Sequence, residues 1–416
     1  MKFASAFGVA CAAFVAVSAV PITHEEIVAN AANGLRLLSL EEGADPVWKN
    51  EDEKLDLLRA DISFVRLVHI LERLLSSLQF DVTGTWEYKQ SRVGAKKLQA
   101  LATFPAPSKT SLIKPLTAQL STTRMNTYLA NLTAFNNRYY TSATGESASN
   151  YILSLVSGFA TGGAKVALFD HSWRQSSIIA KIPGTVAQSP VTIIGSHMDS
   201  INLRSPSTGR APGADDDGSG TVNLIEVFRV LMASGFAPAT PVEFHWYSGE
   251  EAGLLGSQDI AASYNAAGVK VKAFMELDMT AYFKPGSTEV IALEADYIDA
   301  GLNTWLKALV PLHSRLAVVL DAKCGYACSD HASWFEYGYP TAMPFEAVTG
   351  NDNAAIHGTG DVVTQSGFSW AHSLEFAKVA LAYVGVGRAS VAKADSVAPS
   401  TQLYPFFLRA RTSKNK

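Results

Sequence analysis

The chain has 416 residues, of which 48% are hydrophobic and 17% charged, and its formal net charge is −4. That much apolar material supports a sizeable globular core and excludes disorder as the main state. Lys and Arg are scattered rather than massed, so there is no basic footprint for nucleic acid or another polyanion.

The N-terminus reads MKFASAFGVACAAFVAVSAVP, with Lys2, an apolar run from Phe7 to Val17 and the small residues Val17-Ser18-Ala19. This is the pattern of a secretory signal over residues 1–19, which predicts a secreted, extracellular protein. A membrane anchor would need roughly 18 or more apolar residues, and this run is shorter and closes with Pro21. From 20 to 106 the chain is charged and helix-like, as in EDEKLDLLRADISF, with little that carries chemistry. Beyond about Lys109, short β-branched runs alternate with amphipathic patterns: SSIIAKIPG, PVTIIGSHMDS, TVNLIEVFRVLMASG, PVEFHWYSGEE, AFMELDMT. Such alternation predicts an α/β domain, over 107–386, on a mostly parallel sheet. Residues 387–416 are small, polar and basic, and read as a tail. One sequon, Asn131-Leu132-Thr133, is consistent with secretion.

Cys11 falls in the signal, which leaves Cys324 and Cys328 in KCGYACSDH. An even pair in an oxidising compartment favours a disulfide. The loop is so small that the bond adds little chain-entropy stabilisation, and its role is to hold a local bend. The competing reading, a C-x3-C zinc site, needs four ligands and finds no second cysteine pair.

In an open α/β sheet, ligands bind beyond the carboxyl ends of the strands, and each apolar run here ends in polar residues. VTIIGSHMDS ends in His197 and Asp199, VEFHWYSGEE in Glu250 and Glu251, and AFMELDMT in Glu276 and Asp278. GADDDGSG, with Asp215, Asp216 and Asp217, leads into a helix whose Val222, Ile225, Phe228 and Met232 recur at helical spacing. NAAIHGTGD offers His357 in a Gly-rich loop. Each piece alone has an ordinary reading. A lone histidine is a satisfied polar residue, Asp217 a helix cap, and Glu250 and Glu251 two charges at a helix start. Together they conflict, because carboxylates packed at one rim raise one another's pKa. A bound divalent cation removes that conflict. Two histidines with three carboxylates form an N/O set suited to zinc, with a further carboxylate left over as a base.

The strings SHMDS, APGADDDGSGTVNLIEVFRVL, YSGEEAGLLGSQDIA, ELDMTAY, CGYACSDHASW, YPTAMPFE and IHGTGD resemble, in order, the motifs of secreted co-catalytic di-zinc aminopeptidases, notably fungal leucine aminopeptidases. The resemblance runs from roughly Pro115 to Val384 and more loosely before that. It implies a zinc-exopeptidase-like sheet flanked by helices on both faces, preceded by a helical propeptide. It further implies two Zn2+ ions bridged by Asp216, one completed by His197 and Asp278 and the other by Glu251 and His357. Glu250 would be the general acid/base, Asp199 the partner orienting His197, and Tyr326 an oxyanion stabiliser presented by the Cys324–Cys328 bend. Met279, Met343, Phe345 and Ile356 would line an apolar pocket favouring an N-terminal leucine. The expected partners are peptides with a free N-terminus and the chain's own propeptide, for a monomer with neither nucleic acid nor a stable membrane anchor.

Two features depart from the family. VRLVHILERLLSSLQ, Val65 to Gln79, interrupts a propeptide-like text and reads as a local insertion or a translated intron; the second departure is the tail. Lys96-Lys97 is a plausible processing site, and the mature chain is expected to start between Gln79 and Pro107. The rival functions are a di-zinc carboxypeptidase or dipeptidase, a single-zinc glutaminyl cyclising enzyme, and a non-catalytic binding ectodomain. The complete ligand set argues against the last two.

Overall fold

The structure, a computed structural model, describes residues 22–39, 46–65, 80–81, 102–108, 110–321, 323–324, 326–385 and 388–390. The signal, Lys96-Lys97, the insertion beyond Val65 and the tail beyond Ser390 lie outside the described residues.

The N-terminal region contains helix α1 (His24–Ala32), strands β1 (Leu35–Ser39) and β2 (Val47–Asn50), helix α2 (Glu51–Val65) and strand β3 (Phe80–Asp81). Thr23 and Glu26 close a reciprocal capping box on α1. The region expected to be helical therefore also holds a small antiparallel sheet, ordered β2-β1-β3. The reason is local. Gly34, at φ +77°, ends α1, and the following Leu35–Ser39 run is too short for a helix and buries Leu37 and Leu38 completely.

The main domain follows, with α3 (Thr110–Thr117), α4 (Thr122–Ala134), α5 (Ala143–Phe159), β4 (Lys165–Phe169), β5 (Ser177–Ile182), β6 (Val191–His197), α6 (Gly218–Ala233), β7 (Ala237–Pro238), β8 (Val242–Tyr247), α7 (Leu255–Ala266) and β9 (Val271–Glu276). It continues through β10 (Val290–Leu293), α8 (Ala300–His313), β11 (Ala317–Leu320), α9 (His331–Glu336), β12 (Thr341–Ala342), β13 (Pro344–Phe345), α10 (Trp370–Gly385) and β14 (Arg388–Ser390). The central sheet is ordered β12-β9-β6-β8-β5-β4. Its β12/β9, β9/β6 and β6/β8 pairs are parallel, and β8/β5 and β5/β4 antiparallel. The mostly parallel α/β domain is as expected. The first residues of the expected tail, Arg388–Ser390, pair antiparallel with Ala237–Pro238.

Every residue of β6 and β8 is buried, as in a sheet covered on both faces. Successive side chains alternate between two cores. Ile194, Phe244 and Trp246 meet Val222, Ile225 and Phe228 of α6 and Phe376 of α10. Ile193, Tyr247 and Phe274 meet Ile260 of α7 and Trp334 of α9. Each such large apolar side chain contributes about 1.5–3 kcal/mol through burial. This two-sided core rigidly aligns the carboxyl ends of the parallel β6, β8 and β9, which deliver His197, the 248–251 turn and Asp278 to one rim.

Candidate functional site

The Asp215–Asp217 triplet is crowded because its outer members build the loop that aims the middle one. Asp215 accepts from Ala281 N–H at 2.9 Å and Asn353 Nδ2 at 3.1 Å. Asp217 Oδ1 caps α6 through Gly220 N–H at 2.9 Å and accepts from Met279 N–H at 3.2 Å. The triplet is thereby tied to the β9 exit that carries Asp278. From the other side, Asp361 accepts the N–H groups of Asp215 and Asp216, both at 3.0 Å.

Asp216 is left to reach both histidines: its Oδ1 lies 3.1 Å from His197 Nε2 and its Oδ2 3.1 Å from His357 Nε2. His197 Nε2 is also 3.4 Å from Asp278 Oδ1, and His357 Nε2 is 3.1 Å from Glu251 Oε2. The structure thus brings His197, Asp216, Glu251, Asp278 and His357 together as two groups sharing one carboxylate. Asp217 has an oxygen within 4.8 Å of the His197 and Asp278 ligand atoms, but it does not span both groups. Both ring nitrogens of His197, together with Asp278 Oδ1, are buried without a hydrogen-bond partner. Buried polar atoms in that state ask for an unseen partner. A nitrogen and carboxylate donor set of this kind fits zinc. His357 and Met279 hold left-handed backbone, at φ +57° and +55°, a strain that persists where surrounding structure enforces it.

Asp199 plays a wider part than expected. Its Oδ1 lies 3.6 Å from His197 Nδ1, too long for a hydrogen bond. Its two oxygens instead accept the N–H groups of Glu250 at 3.1 Å and Glu251 at 3.2 Å. The Glu250–Ala252 turn needs left-handed residues on both sides, Gly249 at φ +73° and Gly253 at φ +105°. Ser177, His171 and Asp259 line up beneath it, with His171 2.8 Å from Asp259 and 2.7 Å from Ser177 Oγ. Ser177 is fully buried and its Oγ accepts Ser248 N–H, so this trio anchors the turn rather than presenting a nucleophile.

Burial raises the Glu251 carboxyl to about 7, with Asp216 adding to the effect. Burial also pushes the half-buried Glu250 well up, reinforced by Asp278, Asp330 and Glu251 against the pull of His197. Burial disfavours charge on His197 and His357, yet the carboxylates around them win and raise both well above the ordinary value. Asp216 is held low, because the two histidines overcome its burial. A cluster that holds protons in this way exchanges them for a divalent cation.

Among the other expected residues, Tyr326 is half-buried inside the Cys324–Cys328 disulfide loop. The disulfide occupies both sulfurs that would otherwise join Glu294 and Asp296 as ligands. Met279 and Met343 are buried and Phe345 and Ile356 half-buried; Met279 follows Asp278 and Ile356 precedes His357. Asn131 is exposed on α4, its Nδ2 donating to Thr127 O and Tyr151 Oη, each at 3.1 Å. Sequence reasoning left Asp361, Arg138 and Asp330 unassigned. Asp361 closes the IHGTGD string, Asp330 lies in CSDH, and neither stands out by spacing alone.

The N-terminal region sits against this rim. Lys54, 2% exposed, donates to Ala252 O at 3.0 Å, and Arg59 Nε donates to Leu203 O at 2.8 Å. Leu55 and Leu58 pack with Tyr139, Tyr140, Ile201, Leu203 and Ala252. Leu37 packs with Leu254, Ala327 and Ala332. Ala252 follows Glu251, and Ala327 follows Tyr326.

Comparison with known proteins agrees with this geometry. The model of peptidase family M28 matches residues 177–384. Leucine aminopeptidase 1 of Coccidioides posadasii is 40% identical over 351 residues, 81% of this chain and 85% of its own length. The probable leucine aminopeptidase of Arthroderma otae is 43% identical over 293 residues, 68% of this chain and 77% of its own. Among solved structures, LapB from Legionella pneumophila is similar in fold, with a TM-score of 0.71 and 24% identity over 86% of this chain and 96% of that one.

Proposed function

Because the chain belongs to peptidase family M28 and is a zinc-dependent aminopeptidase, we propose that it is a secreted enzyme that removes leucine and other apolar N-terminal residues at a centre for two zinc ions. The observation that carries this reading is Asp216, whose two oxygens each lie 3.1 Å from a different histidine. His197, Asp278 and Asp216 would hold one ion, and Glu251, His357 and Asp216 the other.

Bound zinc supplies Lewis acidity, which lowers the pKa of water and polarises a scissile carbonyl. Glu250 serves as the general base and then the acid: its carboxylate takes the water proton and delivers it to the departing amine nitrogen. Its half-buried, acidic surroundings favour holding that proton between the two steps. Asp199 steadies Glu250 through the backbone, and the Tyr326 hydroxyl donates to the developing oxyanion. Met279, Met343, Phe345 and Ile356 line the pocket for the first side chain.

The N-terminal region acts as a propeptide that restrains the enzyme until it is removed. Its support is the burial of Lys54 against Ala252, which follows Glu251, and of Leu55 in a cluster that holds Ala252 and Leu203, whose N–H donates to His357 O at 3.2 Å. Export follows from the signal-like N-terminus, and among the described residues no helix is long and apolar enough to cross a membrane. Glycosylation at Asn131 would precede folding of α4, since its Nδ2 is engaged there.

The test is hydrolysis of leucine p-nitroanilide beside its N-acetyl derivative, by processed protein before and after chelation and zinc restoration. The reading requires activity only on the free amine, lost on chelation and regained with zinc. Cleavage of the blocked substrate, or activity indifferent to chelation, would refute it. A parallel assay on peptides with N-terminal glutamine separates cyclisation from hydrolysis.

A further inference from the structure

Among the described residues Arg138 forms no hydrogen bond or ion pair with the ligand side chains, yet it joins the loops that carry them. Only 1% of it is exposed. Its Nε donates to Met198 O at 2.6 Å, its Nη1 to Pro212 O at 2.6 Å and its Nη2 to Gly213 O at 2.9 Å. Met198 lies between His197 and Asp199, while Pro212 and Gly213 open the loop that ends in Asp216. One guanidinium therefore bridges the two segments whose separation sets the distance from His197 to Asp216.

The backbone of Arg138 is held as firmly. Its N–H donates to Ser200 Oγ at 3.0 Å, and that hydroxyl donates to Ala211 O at 3.0 Å. Its carbonyl accepts from Gln175 Nε2 at 3.0 Å, and Gln175 Oε1 accepts from Ser248 Oγ at 2.7 Å, two residues before Glu250. Gly213 makes room for the side chain. It sits at φ +53°, and a Cβ there would stand 2.6 Å from Asp216 O and Ser200 Cβ and 2.7 Å from Arg138 Nη2.

A buried cation normally pairs directly with a carboxylate, whereas the bonds of this one go to carbonyls. Burial lowers its pKa, and the field of Asp361, Asp199, Asp216 and Asp217 works against that and favours its charge.

We propose that Arg138 is a positioning residue for the metal centre, fixing the spacing of the His197 and Asp216 loops so that the site is formed before the cations arrive. The inference rests on the ligand assignment above. Zinc dissociation constants of the full-length chain, Arg138→Lys and Arg138→Met, measured by chelator competition, test it alongside the visible spectra of the cobalt-loaded forms. Outer contacts of this kind are worth about 10–100-fold in metal affinity. Arg138→Met should weaken zinc binding by that factor and alter the cobalt spectrum. Arg138→Lys, which keeps the charge but not the fork, should recover part of the loss. Should Arg138→Met not fold, Arg138→Lys measured against the unaltered chain carries the test, with a smaller loss of zinc affinity and a cobalt spectrum altered in the same sense. Wild-type zinc constants and cobalt spectra in the folded variants would overturn the proposal, even if their melting temperatures fell. A wild-type chain that failed to bind zinc would instead overturn the ligand assignment, and the role of Arg138 with it.

Discussion

Zinc binding should expel more than two protons per chain at pH 7. In the metal-free cluster, Asp278 and Glu250 raise His197, and Glu251 and Asp216 raise His357, well above the ordinary imidazole value. Both rings are then protonated at neutral pH, and both must lose that proton to become ligands. Glu251, raised to about 7, is half protonated and releases about half a proton more. The two rings and Glu251 together release more than two protons when both halves fill, and Glu250, pushed well up in the metal-free cluster, adds to that as it ionises. Apparent affinity therefore climbs steeply as pH rises through 7, because deprotonation precedes ligation. Titration calorimetry of the chelator-stripped protein, repeated in buffers of different ionisation enthalpy, reads the proton count from the slope. A release below about one proton would mean that the histidines are already neutral, and would refute the electrostatic account of the site.

The same groups make the stability of the metal-free protein fall with pH. Glu251 and Asp330 are raised to about 7 and Asp215 to about 6, so the folded state binds more protons than the unfolded chain. Stability is then lost as pH rises from the ordinary carboxylate range to about 7, and the raised histidines continue the loss above that. Melting curves of stripped protein from pH 5 to 8 should show a falling Tm, which zinc flattens; a rising Tm would contradict the sign. Phe228→Ala removes a fully buried ring stacked edge-on to Phe244 with centroids 5.4 Å apart. It should cost about 3–5 kcal/mol in denaturant unfolding of the zinc-loaded protein, and a loss below 1 kcal/mol would deny that contact its place in the core. Leu55→Asp should loosen the N-terminal region and raise precursor activity toward that of processed enzyme, read with leucine p-nitroanilide. Precursor activity equal to that of processed enzyme in the unaltered chain would remove the restraining role.

The parts of this molecule that sequence made legible are those whose physics is local. Continuous apolar runs ending in polar residues marked β6 and β8, because strands covered on both faces lack alternation, and the same runs pointed to the rim where His197, Glu251 and Asp278 meet. The cap formed by Asp217 was visible as a helix start. What stayed hidden depends on chain closure over long distances. Arg138 acts through carbonyls about 60 to 75 residues away and Asp361 through amides about 145 away, and a backbone acceptor carries no side-chain identity to read. The resemblance pairs Asp199 with His197, and only the fold shows that the Glu250 and Glu251 amides also reach its oxygens. The β1–β2 strands were lost among charged helix-like neighbours, where a five-residue apolar run is ambiguous.

The central claim is a pair of zinc ions sharing Asp216. Diffraction from zinc-loaded crystals on both sides of the zinc absorption edge tests it without reference to activity. The account predicts two anomalous peaks per chain, one on each side of the Asp216 carboxylate, separated by about 3.5–4 Å. A single peak at full zinc loading, or two peaks with Asp216 bound to neither or to one alone, would contradict it.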